Sequence, residues 1–568
     1  MQGAWLTRDG VRFRVYAPQA QTVEVESGDR RFPLERSADG HFSGTVRDLK
    51  SGDLYRYRLN GDGSYPDPCS YSQPAGPHGP SGVPVVVADG VMGRVPPSKE
   101  VAWAGPETDN MVIYECHVGC MSPAGTFEGL ISRLDDLVDL GVTAVQLMPV
   151  AEFPGRWNWG YDGVNWFAPS HCYGGPAGLR GLVDACHERG LSVILDVVYN
   201  HFGPDGNYIA QFNPAYFTER YHTPWGAAIN LDGGDSGATR RLLAENALFW
   251  LEGFDIDGLR LDAAHRLYDS SDTHILERIA YVAHRMGNKL VIAEDDRNNT
   301  SVLERYGIDA VYADDFHHVL HVMLTGERDG YYEDYQGTVA ELAATIQGGW
   351  LYQGQMSKHW GKPRGTVATN VPWHKFVYCL QNHDQVGNRA LGERIHQLPG
   401  VTLSRYLAAS ALLLFLPATP LLFMGQEFAA SSPFQYFSDH AGDLGRQVSE
   451  GRRREFGQFA AFAGGTVPDP QSEETFRRSR LRWEERAAEP HATVLRHYKK
   501  LLSLRRDWDT ASLTAEAEGS SGLRVRATDG DRERLLVVQF GDAALGQLDA
   551  SWQALWSSED EKAAIYQR

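Results

Sequence analysis

The first part of the chain alternates polar and apolar residues over several short runs. The alternation is clear at residues 11–16, 22–25 and 54–59, and a period of two is typical of strands that bury one face. A passage rich in proline and glycine follows at residues 65–84, which indicates a change of unit. We therefore predict an N-terminal immunoglobulin-like β-sandwich over residues 1–95.

The middle of the chain has apolar, β-rich runs separated by segments with helical periodicity. Amphipathic helices are predicted at residues 127–140 and 179–189, for example. Strands and helices in alternation favour a closed (β/α)8 TIM barrel over an open, doubly wound sheet. We predict this α/β catalytic barrel over residues 96–509. Its strands are predicted at residues 111–118, 143–149, 192–198, 256–262, 290–293, 310–313, 375–380 and 420–424.

Two further segments complete the predicted organisation. The third connection of the barrel, at residues 202–236, is long and rich in Gly, Pro and aromatic residues, which is typical of an insertion that covers a substrate. A helix is predicted near residues 497–505. Short strands follow it, most clearly at residues 522–527 and 534–540. They predict a C-terminal β-sandwich domain over residues 510–568.

The sequence does not predict a membrane protein or a secreted one. The longest apolar stretch, residues 406–425, has about the length of a membrane span. Pro417 and Pro420 interrupt it, however, so a buried helix that leads into a barrel strand explains it better. The first residues contain no apolar core of a signal peptide. We expect a cytoplasmic protein.

Charge and cysteine content narrow the function further. The formal net charge of −19 argues against a nucleic-acid or anionic-membrane partner, because both require a basic surface. The 14 Trp and 25 Tyr suit a neutral, hydroxyl-rich ligand, although a large barrel also uses aromatic residues in its core. Among the six cysteines only Cys116 and Cys120 are close in sequence, and no second Cys or His pair accompanies them. The spacing therefore does not favour a zinc site.

Four acidic residues follow or end apolar, β-rich runs of the predicted barrel. They are Asp196, Asp262, Glu294 and Asp384. In a (β/α)8 barrel the C-terminal ends of the strands converge on one face, and the chemistry occurs there. Carboxylates from several strand ends, without an obvious metal cluster, favour acid/base and nucleophilic chemistry on a sugar bond. The pattern predicts a glycosidase that requires no cofactor and no metal.

Local sequence distinguishes two of these acids. Arg260 and Asp262 are two residues apart, so they lie on the same side of their strand. An arginine beside a carboxylate keeps it ionised and oriented, as a nucleophile requires. The alternative is a structural ion pair that lines the barrel. Glu294 ends an apolar run, a setting that raises the pKa of a general acid, although a strand-end glutamate is structural about as often.

Two histidines lie close in sequence to the predicted acids but at spacings that place them on the opposite face of a strand. His201 lies an odd number of residues after Asp196, and His383 directly precedes Asp384. Residues an odd number apart on a strand point to opposite faces. Simple strand geometry therefore leaves both histidines outside the predicted site.

The four acidic segments resemble the four signature regions of the α-amylase superfamily of glycoside hydrolases. The resemblance covers essentially the whole chain, including both flanking β-domains, and it implies the same fold and a retaining mechanism. Within the superfamily, the chain most resembles the group of enzymes that hydrolyse maltooligosyltrehalose. This closer resemblance is carried by DGLRLDAAH at 257–265, AEDDRN at 293–298, GQMS at 354–357, QNHDQVGNR at 381–389, MGQEF at 424–428 and PFQYFSDH at 433–440.

The resemblance implies roles for individual residues. Asp262 resembles the nucleophile, Glu294 the general acid and base, and Asp384 the carboxylate that holds the hydroxyls of the distorted sugar. Tyr161 resembles the aromatic platform under the reacting sugar; the alternative is a core aromatic at the barrel mouth. The remaining positions resemble residues that bind substrate or support those that do: His201 and His383 as donors to sugar hydroxyls, Arg260 beside Asp262, Asp196 and Asn200 in the first region, and His265 on the leaving-group side.

The resemblance also implies a reaction, hydrolysis of the α-1,4 bond between a maltooligosyl chain and a terminal trehalose unit. We expect maltooligosyltrehalose and related α-glucans as substrates, trehalose as product, and a functional pairing with maltooligosyltrehalose synthase. A retaining mechanism predicts that the carboxyls of Asp262 and Glu294 lie about 5–5.5 Å apart. Superfamily members often bind calcium, but no ligands are assigned here.

Two alternatives remain open at the level of sequence. A glycogen branching or debranching enzyme has the same catalytic residues and acts on a different bond or acceptor. A catalytically inactive glucan-binding protein can also be built on this barrel. Such relatives usually lose one of the catalytic acids, and this chain retains Asp262, Glu294 and Asp384.

Overall fold

The structure of the chain, a computed structural model, describes residues 1–84, 87–88, 93–97, 103–457, 467–542 and 548–568. The three predicted domain ranges also contain residues outside this description. Within the described residues, none of the helices combines the length and apolar character needed to cross a membrane.

The N-terminal strands form a β-sandwich, as predicted. One sheet has the strand order β11-β10-β1-β2-β6-β5, and the other has the order β4-β3-β7-β8 with β9 paired to β7. Val11, Phe13 and Val15 are buried between the sheets while the residues between them are more exposed, which is the alternation read from the sequence. The strands are β1 (Gly3–Thr7), β2 (Gly10–Tyr16), β3 (Val23–Ser27), β4 (Arg30–Pro33), β5 (Glu35–Arg36), β6 (His41–Val46), β7 (Leu54–Leu59), β8 (Ser64–Tyr65), β9 (Ser81–Gly82), β10 (Val87–Ala88) and β11 (Gly93–Arg94).

Eight parallel strands close into the predicted barrel in the order β12-β13-β16-β19-β20-β21-β24-β25. Each coincides with a predicted strand to within a few residues, and β12 pairs with β25 to complete the circle. Three short hairpins, β14-β15, β17-β18 and β22-β23, lie outside the barrel sheet. The strands of this region are β12 (Ile113–Cys116), β13 (Ala144–Leu147), β14 (Ala151–Glu152), β15 (Asn165–Pro169), β16 (Ser192–Val197), β17 (Phe217–Thr223), β18 (Gly226–Ile229), β19 (Gly258–Leu261), β20 (Leu290–Ala293), β21 (Ala310–Tyr312), β22 (Met356–Ser357), β23 (Lys362–Pro363), β24 (Phe376–Cys379) and β25 (Thr419–Phe423).

Helices surround the barrel and cover its strands. The predicted helix at residues 127–140 is two helices, α2 and α3, and between them the hydroxyl of Ser132 donates to the carbonyl of Gly129. The helices are α1 (Val118–Met121), α2 (Phe127–Ile131), α3 (Leu134–Leu140), α4 (Gly175–His187), α5 (Ile209–Phe212), α6 (Gly237–Leu248), α7 (Ile275–His284), α8 (Ser301–Glu304), α9 (Asp315–Thr325), α10 (Val339–Gly348), α11 (His383–Gly387), α12 (Leu403–Phe415), α13 (Gly442–Gly457), α14 (Glu473–Arg478) and α15 (His491–Arg506).

Inside the barrel, apolar side chains form a layer, and charged side chains lie next to it on the side of the C-terminal ends of the strands. Ile113, Ile194 and Ile292 belong to a core cluster inside the barrel. Two residues further along β12 and β16 stand Glu115 and Asp196, both buried. Because residues two apart on a strand share a face, these carboxylates point inward, directly above the apolar layer. The alternation of the strands thus places charged groups under the C-terminal face of the barrel.

The described C-terminal residues form one antiparallel sheet of order β26-β27-β28-β30-β29. Its inner face, including Val525 and Leu536, joins the same hydrophobic core as the outer barrel layer, and it packs on α10 and α12. The strand-rich C-terminal region is present as expected. Its second layer consists of barrel helices, whereas the prediction had a second sheet. The strands are β26 (Ser512–Glu518), β27 (Gly522–Asp529), β28 (Arg532–Gln539), β29 (Gln553–Ser557) and β30 (Ala563–Gln567).

Candidate active site

Arg260 connects three of the four acidic segments. It is fully buried and its Nη1 donates to both carboxylate oxygens of Asp196 at 2.9 and 2.8 Å and to Oδ1 of Asp262 at 2.8 Å. Its Nη2 donates to Oε2 of Glu294 at 2.6 Å. A planar guanidinium fixes the positions of the carboxylates it contacts. The guanidinium fork of Arg260 therefore holds the carboxyl groups of Asp262 and Glu294 next to each other.

Asp262 has a second support on its other oxygen. The side-chain amide of Asn200 donates to Oδ2 of Asp262 at 2.9 Å and to its backbone carbonyl at 3.1 Å. His201 lies next to Asn200 and hydrogen-bonds its side-chain oxygen through Nδ1. With Arg260 on one oxygen and Asn200 on the other, the carboxylate is oriented and its side chain remains 13% exposed.

The surroundings of Glu294 favour its protonated form. Burial raises its pKa well above the ordinary range of a glutamic acid, Arg260 offsets part of this, and the nearby Asp262 and Asp384 raise it further. Like charges that lie close together resist joint ionisation. The side chain is still 22% exposed. A protonated carboxyl that reaches a cleft can donate a proton to a leaving group.

The backbone beside Glu294 is strained. Ala263 adopts φ 40°, a left-handed conformation that residues with a side chain rarely adopt. In this conformation its N–H donates to Oε2 of Glu294 at 2.9 Å, and the N–H of Ala264 donates to the carbonyl oxygen of Glu294 at 2.8 Å. The turn after β19 is thus fastened to the end of β20.

A chain of hydrogen bonds links His383 to the first acidic segment. Nδ1 of His383 contacts Oε1 of Glu115 at 2.8 Å, and Nε2 lies 2.7 Å from the hydroxyl of Tyr161. That hydroxyl donates to Oδ2 of Asp196 at 2.7 Å. Burial opposes a charge on His383, but the carboxylates of Asp384 and Glu115 outweigh it and raise the pKa of His383 to about 10. A cationic His383 donates through both ring nitrogens and fixes the orientation of Tyr161.

Asp384 lies in the first turn of α11, after β24. Asn382 caps this helix by accepting from the backbone N–H groups of Asp384 and Gln385. The carboxylate of Asp384 accepts from Nδ2 of Asn388 at 3.3 Å, and its side chain is 38% exposed. It is the most accessible of the three predicted catalytic acids.

The predicted site residues divide into two groups by position. A cleft of about 580 Å³ is lined by Asp262, Glu294, Asp384, Tyr161, His201 and His265. The other four do not line it; they are almost fully buried and hydrogen-bond to residues that do: Asp196, Asn200, Arg260 and His383. The geometry thus brings all ten together, with the second group beneath the first.

The parity argument for the two histidines does not hold. Strand β16 ends at Val197 and β24 ends at Cys379, so His201 and His383 lie beyond the strands, and His383 is in a helix. A period of two applies only within a strand. His201 lines the cleft and stacks on Trp225, a residue of the long third connection, at 5.1 Å between ring centroids.

Sequence reasoning missed a group of residues on one wall of the cleft. Asp314 follows β21 directly, so the strand-end criterion that selected the other acids also applies to it. Arg364 and Trp360 come from a long connection without regular periodicity, and nothing in the sequence pattern identifies them. The residues on this wall are Asp314, His318, Tyr331, Tyr335, Trp360 and Arg364.

One cluster near the cleft has the residue types of a metal site. The ligand atoms of His265, Asp295 and Asp296 lie within 4.8 Å of one another. Asp295 is already engaged by Arg297, which donates to it at 2.8 Å through Nε. Calcium takes six to eight oxygen ligands, and two carboxylates, one of them ion-paired, do not supply such a set.

The chain is similar to known glycoside hydrolases along its length. Residues 88–222 match the family described as alpha amylase, catalytic domain, and residues 2–72 match carbohydrate-binding module 48, the isoamylase N-terminal domain. The malto-oligosyltrehalose trehalohydrolase of Deinococcus radiodurans is 45% identical, over 94% of this chain and 88% of that protein. The enzyme of the same name from Saccharolobus solfataricus is 41% identical, over 90% and 87%. The crystal structure of a Salmonella typhimurium protein assigned as an alpha amylase superposes with a TM-score of 0.90 at 36% identity, over 100% of this chain and 99% of that one.

Proposed function

The chain belongs to the malto-oligosyltrehalose trehalohydrolases of the α-amylase superfamily, and we propose that Asp262, Glu294 and Asp384 carry out the hydrolysis that releases trehalose from maltooligosyltrehalose. The bond cleaved is the α-1,4 bond between the maltooligosyl chain and the terminal trehalose unit. The observation that carries this assignment is the Arg260 fork, which holds Asp262 and Glu294 side by side in the cleft that Asp384 also enters.

In the first half of the reaction, the carboxylate of Asp262 attacks the anomeric carbon of the sugar at the cleavage point. The bond from that carbon to the glycosidic oxygen breaks, and Glu294 transfers its proton to the oxygen. Trehalose departs, and the maltooligosyl chain is left bound covalently to Asp262. Two features support this step: Arg260 and Asn200 orient the attacking carboxylate, and burial raises the pKa of Glu294, which favours its protonated form.

In the second half, Glu294 is a carboxylate and acts as a base. It accepts a proton from a water molecule as the water oxygen attacks the anomeric carbon, and the bond to Asp262 breaks. The maltooligosaccharide leaves, and both carboxyls return to their initial protonation states. Asp384 holds hydroxyls of the reacting sugar and favours its distortion; its exposure to the cleft supports that role.

The other site residues bind or position the substrate. Tyr161 provides the platform under the reacting sugar, and its hydrogen bonds to Asp196 and His383 support a fixed ring orientation. The two ring nitrogens of His201 contact acceptors of the protein, the side-chain oxygen of Asn200 and the backbone carbonyl of Tyr161, so His201 positions these residues at the cleft wall instead of donating to the sugar. His265 contacts the leaving group. Asp196, Asn200, Arg260 and His383 act from beneath, through the residues that they hold.

The proposal also covers the setting of the enzyme. We place the domain boundaries near residues 95 and 509. The end of β11 at Arg94 supports the first, and the interval between the end of α15 at Arg506 and the start of β26 at Ser512 supports the second. A cytoplasmic location is supported by the six cysteines, all free thiols, as is usual in a reducing compartment.

The substrate requires a partner reaction that forms the terminal trehalose linkage, so we propose a functional pairing with maltooligosyltrehalose synthase.

The stereochemistry of the product tests the proposed double displacement. Two successive inversions at one carbon give net retention, so the new reducing end of the maltooligosaccharide should first appear as the α-anomer. Proton NMR during the first minutes of hydrolysis of maltotriosyltrehalose distinguishes the anomers before they equilibrate. Initial formation of the β-anomer would contradict the role of Asp262 as a nucleophile.

A further inference from the structure

The cleft has an acidic residue to which the proposed mechanism gives no role. Asp314 follows β21, next to β20 with Glu294, and it lines the same cleft as the three predicted catalytic acids. Within the described part of the chain, no side chain or backbone group donates a hydrogen bond to its carboxylate. Burial raises the pKa of Asp314 to about 6, so above that pH it presents unsatisfied acceptor oxygens to the cleft.

The neighbouring residue, Asp315, organises the wall behind it. Its Oδ1 accepts from Arg364 at 2.7 Å and from the hydroxyl of Tyr335 at 2.6 Å. Its Oδ2 accepts from Nδ2 of Asn298 at 2.7 Å and from the backbone N–H of Tyr352 at 2.9 Å. Burial opposes ionisation, but the charge of Arg364 and these hydrogen bonds outweigh it and lower the pKa of Asp315. A buried ion pair so fully hydrogen-bonded fixes the elements that it joins.

This network sets the tautomer of His318. The single proton of the Tyr335 hydroxyl is directed at Asp315, and its oxygen accepts from Nη1 of Arg364 at 2.9 Å. Nδ1 of His318 lies 3.2 Å from the same oxygen, so Nδ1 is the donor there. Burial lowers the pKa of His318 well below its usual value, and the ring is neutral. Nε2 then carries the lone pair. Because His318 lines the cleft and its Nδ1 is turned to Tyr335, Nε2 is the atom of this ring that can accept from a ligand there.

The position of this wall indicates which part of the substrate it meets. Tyr161 follows β13, and in the closed barrel β13 lies opposite β21. Glu294 protonates the glycosidic oxygen, so the leaving group starts at Glu294 and extends away from the sugar on Tyr161. That direction leads to Asp314 and His318. Tyr331, whose ring centroid lies 4.7 Å from that of His318, and Trp360 line the same cleft, and each is 40% exposed.

We propose that Asp314 and His318 form the binding site for the leaving disaccharide, each accepting a hydrogen bond from a hydroxyl group of trehalose. Two acceptors side by side suit a polyol, which can donate from every hydroxyl. Arg364, Asp315 and Tyr335 are positioning residues that hold His318 in the accepting tautomer. This inference rests on the proposed function. It assigns to Asp314 and His318 part of the preference of the enzyme for trehalose as the leaving group.

The binding of each product to full-length variants tests the proposal. In Asp314→Asn and His318→Phe, the affinity for trehalose, measured by titration calorimetry and by product inhibition, should fall about tenfold to a hundredfold. Asp314→Asn replaces a charged pair of acceptor oxygens by one neutral acceptor and an NH2 donor, and His318→Phe removes the acceptor altogether. The affinity for maltotriose, the other product of maltotriosyltrehalose, should stay unchanged. Asp329→Asn, an exposed position between α9 and α10, is the matched control and should bind both sugars like the wild type.

The outcomes separate this inference from the proposed function. Unchanged trehalose affinity in both variants would overturn the inference while trehalose release by the wild type still upheld the function. An equal loss of affinity for trehalose and maltotriose would also overturn it, because that result indicates general damage to the cleft. His318→Phe provides a second, independent measurement if Asp314→Asn does not fold. A wild-type protein that releases no trehalose would overturn the function itself.

Discussion

Replacing Asp262 with asparagine is expected to lower kcat for trehalose release by about 10⁴-fold or more, the scale seen when a nucleophile is removed. Asparagine has nearly the same shape and can still accept from Arg260, so the surroundings should change little. An amide cannot form the covalent intermediate, and the first bond-breaking step therefore loses its nucleophile. The measurement is steady-state and single-turnover release of trehalose from maltotriosyltrehalose.

The control for this variant is Asp48→Asn, an exposed position in the N-terminal domain. It should retain wild-type activity, and both variants should unfold within a few degrees of the wild type on heating. A folded Asp262→Asn protein with less than a tenfold loss of kcat would contradict the assignment of the nucleophile.

Replacing Glu294 with glutamine is expected to lower kcat on maltotriosyltrehalose by about 10²–10⁴-fold, the contribution of a general acid. The loss should depend on the leaving group. Fluoride departs with little need for a proton, so α-maltosyl fluoride should still glycosylate Asp262 in the variant. Because Glu294 is also the base of the second step, the intermediate should then accumulate. A rapid burst of fluoride, equal in amount to the enzyme, should precede slow turnover.

The pH dependence gives a further readout of Glu294. The acid must be protonated to act, so kcat/KM should fall as pH rises through its pKa. Burial raises that pKa well above the ordinary range, which places the alkaline limb at a higher pH than for an exposed glutamic acid. The limb should be absent in Glu294→Gln. A Glu294→Gln protein without a fluoride burst, in which the first bond-breaking step is slowed equally for maltotriosyltrehalose and for the fluoride, would show that Glu294 is not the acid.

Local sequence pattern predicted the features that depend on residues close together in the chain. Strand-end carboxylates and the two-residue spacing of Arg260 and Asp262 are local, and all eight barrel strands were predicted near their observed positions. Burial of the end of β20 also follows from its apolar run, and with it the direction of the pKa shift of Glu294. These features need only the period of a strand and the topology of a barrel.

The contacts that sequence could not supply join residues far apart in the chain. Glu115 and His383 are 268 residues apart, yet they share two hydrogen bonds. The histidine parity failed because the strands stop before His201 and His383. The alternation of polar and apolar residues in the C-terminal strands shows that one face of their sheet is buried. It does not show whether barrel helices or a second sheet pack on that face. The ion pair between Arg364 and Asp315 could not be predicted either, because Arg364 lies in a segment without the periodicity of a strand or a helix.

The most direct test is to incubate the purified protein separately with maltotriosyltrehalose and with a plain maltooligosaccharide of the same length, and to separate the products. The account predicts fast release of trehalose from the first substrate and slow or no cleavage of the second. Comparable cleavage of both would contradict trehalose selectivity and indicate a general α-glucan hydrolase. Longer or branched products would instead identify a transferase.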